Sequence, residues 1–105
     1  GPSEPTLAVS PANLTPGGSF VVAAWTPTAL ENPVLRVNTT CIGAPLNPPC
    51  SNVDNCGGEA IAWSASTLLL QIGTNVIEVF ENPNQVECDA LVDDPVIKAF
   101  VAMQL

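Results

Sequence analysis

The amino-acid sequence predicts an all-β domain, a sandwich of about seven antiparallel strands, and three observations carry that prediction. Eleven prolines and seven glycines interrupt the chain at short intervals. They leave apolar segments of about five to nine residues, the length of a strand rather than a helix. Those segments are rich in β-branched and aromatic residues, which suit a pleated, half-buried surface. Apolar residues make up 47% of the 105 positions and charged residues 11%, a balance that favours one buried core over a disordered tract.

The elements follow in order. Residues 6–10 (TLAVS) form the first strand, closed by Pro11 and Asn13. Pro16-Gly17-Gly18 makes a turn, residues 19–25 (SFVVAAW) form the second strand, and Pro27 stops it. Residues 33–40 alternate Leu35, Val37 and Thr39 on one face with Val34, Arg36 and Asn38 on the other, as a half-buried strand does. Residues 59–65 and 67–72 supply one or two more strands, although three consecutive leucines also suit a single helical turn. Residues 75–80 and 96–105 close the chain as a hairpin around a long acidic loop. The tripeptide Glu-Asn-Pro occurs at 31–33 and again at 81–83 with unlike flanks, and it is read as turn chemistry rather than an internal repeat. Residues 1–5 are a tail, with the character of a cleavage scar at Gly1-Pro2, and 6–105 are the single domain.

The run Leu70-Gln-Ile-Gly73-Thr-Asn75-Val-Ile77-Glu-Val79 fits the pattern Leu-x-x-Gly-x-Asn-x-Ile/Val-x-Val. It resembles the E strand, E–F corner and F strand of immunoglobulin-like and fibronectin-III-like modules of secreted and cell-surface proteins. Val9-Ser-Pro11 followed by Pro16-Gly17-Gly18 likewise looks like their first strand and A–B turn. The resemblance implies an immunoglobulin-like β-sandwich and names no ligand. The chain departs from antibody-type domains, having no tyrosine and no cysteine on strand B to pair with one on F. An adhesion or scaffold module is therefore expected rather than an immune-receptor variable domain.

Cys41, Cys50, Cys56 and Cys88 are spaced without a C-x₂₋₄-C pair, and the chain has no histidine, so zinc is disfavoured. Thiol redox catalysis lacks both a C-x-x-C motif and, beyond Arg36 and Lys98, any cation to lower a thiol pKa. An even count in a small, loop-rich chain points to two disulfides and an oxidising compartment: secreted or cell surface, extracellular or periplasmic. On the expected sandwich, strand C carries Cys41 to the end opposite the F–G loop that holds Cys88. The return to strand E brings Cys56 near that loop. The expected pairs are therefore Cys56 with Cys88 and Cys41 with Cys50, since a Cys41–Cys88 bridge would span about a strand length, beyond the ~7 Å Cα limit.

A formal charge of −8 with two cations cannot neutralise phosphates or anionic lipid, which argues against nucleic acid and anionic membrane as partners. The apolar runs are too short for a membrane-spanning helix, so no membrane insertion is expected. Without histidine there is no base for a serine or cysteine nucleophile, and no glycine pair is followed by the Lys-Ser/Thr of a phosphate loop. The chain is not expected to be an enzyme.

The acidic cluster Glu81, Glu87, Asp89, Asp93 and Asp94 falls in or beside one loop. Glu87, Asp89, Asp93 and Asp94 are the calcium candidates, although they lack the regular Asp-x-Asp-x-Asp spacing of a dedicated site; no other cofactor is indicated. The same four carboxylates, with Trp25, are the recognition candidates. Trp63 shares a face with Ile61 and Ala65, which suits the core, whereas Trp25 ends its strand and is the better platform for a sugar or protein contact. Asn13-Leu-Thr15 and Asn38-Thr-Thr40 are glycosylation acceptors in a eukaryotic source. The expected function is a non-enzymatic extracellular module for adhesion, assembly or protein recognition. Its partner would be another protein or neighbouring modules of the same chain. A carbohydrate-binding accessory module is the alternative.

Overall fold

The computed structural model describes residues 4–47 and 58–105; Cys50 and Cys56 lie outside them. The chain is all-β, with strands β1 (Thr6–Ser10), β2 (Ser19–Thr26), β3 (Pro33–Val37), β4 (Thr40–Ile42), β5 (Glu59–Ser66), β6 (Gly73–Glu81) and β7 (Ile97–Met103). They form two antiparallel sheets, in the orders β1-β2-β5 and β4-β3-β6-β7. Successive strands change sheet after β2, after β4 and after β5, so β2 pairs with β5 and β3 with β6 across intervening chain.

Period-two alternation sets the burial. In β2, Phe20, Val22, Ala24 and Thr26 are buried while the residues between them are not. Ile61, Trp63 and Ala65 of β5, Leu35 and Val37 of β3, and Ile77 and Val79 of β6 are buried too. All of these apolar side chains join one cluster with Leu14, Leu30 and Met103, so both sheets feed a single core. Trp63 is the largest fully buried side chain, as its place beside Ile61 and Ala65 leads one to expect.

Two predicted elements change. Residues 67–72 are not a strand: Thr67–Leu69 is a 3₁₀ turn whose start is capped by Ser66, with Leu68 N donating to Ser66 Oγ at 3.1 Å. Buried Thr67 turns back toward Gly17-Gly18. Its Oγ1 accepts from Gly17 N at 3.0 Å, and its N–H donates to Gly18 O at 3.2 Å. Those bonds replace a ladder. The remaining strand comes instead from the predicted run 33–40, which breaks at Asn38, where φ is 55°, and reverses into β4.

The outer edge of β5 is covered. Leu46 N donates to Ala62 O at 2.6 Å, and the Asn47 side chain accepts from Ala62 N at 3.0 Å and donates to Ala60 O at 2.8 Å, mimicking a neighbouring strand. At the other margin Leu14 makes a parallel bridge to Met103, with Gln104 N donating to Leu14 O at 3.0 Å.

Candidate functional site: the pinned loop and the outer face of the four-stranded sheet

Because Leu35, Val37, Ile77 and Val79 point into the core, strand alternation turns Val34, Arg36, Glu78 and Phe80 outward. The register aligns Arg36 with Glu78 and Glu78 with Lys98, and it aligns Val34 with Phe80 and Val76 with Phe100. Both cations of the chain therefore flank Glu78. Arg36 Nε donates to Glu78 Oε1 at 2.9 Å, and its guanidinium lies 4.5 Å from the centroid of the Phe80 ring. The ammonium of Lys98 is 5.6 Å from the Phe100 centroid. Phe100 is 64% exposed, yet Val34 and Phe80, on the same outward side, are only 7% and 2% exposed.

Arg36 covers the Phe80 ring, and the loop between β6 and β7 folds back beside Val34. Its first turn is built by buried Asn82, whose Oδ1 accepts from Val86 N at 3.1 Å and whose Nδ2 donates to Val86 O at 3.0 Å. The two Glu-Asn-Pro tripeptides meet at the same place. Glu31 N donates to Glu81 Oε2 at 2.8 Å, Asn82 N to Glu31 O at 3.0 Å, and Asn32 Nδ2 to Asn82 O at 3.1 Å, while Pro33 pairs with Glu81. Farther along, Cys88 is bonded to Cys41, with Cα atoms 5.8 Å apart.

That bond overturns the expected pairing of Cys56 with Cys88 and of Cys41 with Cys50. The expectation kept the loop at the end of the molecule, next to Pro33. Instead the loop returns along β3 to the level of Arg36, which pairs with Cys41, so a separation of about a strand length vanishes. Nothing further concerns Cys50 and Cys56, which are outside the described residues.

Glu87 and Asp89 flank Cys88 and share an open cleft with Arg36, Asn38 and Thr39. Asp93 and Asp94 follow later in the loop, and all four carboxylates are exposed. Among the described residues no group of three or more His, Cys, Asp or Glu side chains is placed to hold a metal ion. Trp25 is half-buried, and one part of its indole is occupied by Gly58: a Cβ there would lie 2.6 Å from Trp25 Cζ2. Trp63, fully buried, offers no sugar platform. Asn13 is exposed. Asn38 is half-buried, with its Nδ2 committed to Leu69 O and Asn75 Oδ1, both at 3.0 Å, and its Oδ1 accepting from Val76 N at 3.0 Å.

Sequence reasoning missed the Arg36–Glu78 pair, Asn82 and Phe100. Alternation in residues 97–103 was a usable signal for Phe100, which shares a face with Lys98. No local pattern marks Asn82, whose role depends on Glu31 and Asn32. No protein-family model, no curated protein and no solved structure matches this chain.

Proposed function

We propose that the two sheets pack as an immunoglobulin-like β-sandwich and that the chain is a non-enzymatic extracellular module for adhesion, assembly or protein recognition. The interleaved strand order, in which β2 pairs with β5 and β3 with β6, supports this reading. So does the position of Leu70 to Val79, which runs from the end of the 3₁₀ turn through the corner into β6. The Cys41–Cys88 bond fits an oxidising compartment, and among the described residues no helix is long and apolar enough to cross a membrane.

One observation carries the recognition role: the disulfide holds the acidic loop against the sheet face. A loop already ordered loses less conformational entropy on binding, so a given set of contacts yields more affinity. Glu87, Asp89, Asp93 and Asp94 would steer a basic protein toward that face. The test is carbodiimide cross-linking of the protein in the extracellular fluid of its source, which joins carboxylates to amines. Cross-links from these four residues to lysines of a partner are expected, and the quadruple amide variant E87Q/D89N/D93N/D94N should associate more slowly at low salt with its circular dichroism unchanged. An unchanged association rate would sink the reading.

A further inference from the structure

The edges of the two sheets are unequally protected. The edge of β5 is occupied by Leu46 and Asn47, and β4 is three residues long. Leu14 meets β7 at Met103. Before that point, and among the described residues, residues 97–101 of β7 are laddered to β6 alone, with β1 lying close by. Such an edge presents a row of unpaired N–H and C=O groups, and natural edges are blunted by charged side chains, lysine above all, by proline or by a bulge. Within β7, Lys98 is the lone charge and there is no proline.

The core is also left unfinished along this margin. Leu7 and Val9 of β1 and Val96, Ile97 and Val101 at β7 pack against the central cluster but are only partly buried. Ile42, Leu69 and Leu70 are partly buried elsewhere, whereas Val22, Val37 and Ile77 on interior strands are fully buried.

We propose that the free edge of β7 takes up an extended segment of a partner protein as an added strand, with apolar side chains at alternate positions and lysine or arginine between them. Backbone pairing supplies the affinity in this mode, and alternate side chains supply the selection. The apolar set would complete the cover over Leu7, Val9, Ile97 and Val101. The cationic set is selected by charge: the chain carries a net −8, and exposed Asp93 and Asp94 stand just ahead of β7. A second copy of this chain would bring two surfaces of the same strong charge together, so it is the poorer occupant. The proposal rests on the chain being a recognition module but uses a surface apart from Glu87 and Asp89.

The experiment selects nine-residue peptides from a random library against the intact, disulfide-bonded protein and maps the winners by hydrogen exchange. Selected peptides should alternate apolar and basic residues and protect the amides of residues 97–101. N-methylation of every second peptide amide, on the side that faces β7, should weaken binding about tenfold or more. Peptides without alternation, equal binding after N-methylation, or no selected binder would overturn the proposal. So would concentration-dependent protection of β7 by the protein alone, which would make a second copy the occupant. If winners instead protect residues 82–96 and lose binding in E87Q/D89N, the recognition role stands and the edge proposal falls. If neither region is protected, both fall.

Discussion

Asn38 and Asn75 share a hydrogen bond in which Asn38 Nδ2 donates to Asn75 Oδ1 at 3.0 Å, and that bond ties the β3–β4 turn to the start of β6. Asn75 is fully buried. Its Oδ1 also accepts from Gln71 N at 2.8 Å, and its Nδ2 donates to Gln71 O at 2.9 Å and Gly73 O at 3.1 Å. Asn75→Ala removes the hydrogen bonds of a fully buried side chain and leaves a small cavity, so a loss of about 1–3 kcal/mol is expected from urea unfolding. Asn38→Gly should cost less, because glycine relieves the positive φ while losing the side-chain bonds. If Asn75→Ala costs no more than an average surface substitution, the corner is not the support described.

The second prediction concerns the disulfide. Non-reducing peptide mapping should recover a peptide joining Cys41 to Cys88. These residues are 47 positions apart, and the chain-entropy relation assigns such a loop about 4 kcal/mol. The double variant C41A/C88A should therefore unfold at markedly lower urea. It should also bind an apolar dye more strongly, because the loop beside Val34 is released. Recovery of a Cys56–Cys88 peptide instead would reject the loop path.

Gly58 has no room for a side chain, since a Cβ would fall 2.6 Å from Trp25 Cζ2. Gly58→Val should push the indole outward, seen as a red shift of tryptophan emission, and destabilise by about 1–3 kcal/mol. Trp63, fully buried, should keep its blue component, which the single-tryptophan variant W25F isolates.

Arg36 and Glu78 form a charge-assisted bond at 2.9 Å with Glu78 nearly buried. A double-mutant cycle through R36M and E78Q should give a coupling of about 1 kcal/mol, above the median of exposed pairs. Salt should weaken it only in part, because Glu78 is buried while Arg36 lines the open cleft beside Glu87 and Asp89. A coupling near zero, or one abolished by salt, would show that the pair is solvated.

What the sequence by itself determined is whatever depends on near neighbours. Composition marked residues 19–25 as a strand, and alternation along residues 33–37 announced that Leu35 and Val37 face the core, because each apolar residue carries its own preference for burial and a strand repeats every two residues. Gly17 and Gly18, both at positive φ, were legible as a turn, and Trp63 as a core residue. The tertiary structure decided the rest. Thr67 could not be read as a turn residue until Gly17 and Gly18 stood beside it. Val34 and Phe80 belong to the outward face by alternation and are buried there by tertiary neighbours, Arg36 over the Phe80 ring and the returning loop beside Val34. The same return joined Cys41 to Cys88, while the β3–β6 pairing, with Pro33 opposite Glu81, brought Glu31 to Glu81. Partners 47 or 50 positions apart have no signature in either flank, since their meeting depends on the path of the intervening chain, and that path is set by the sum of packing and hydrogen bonds across both sheets.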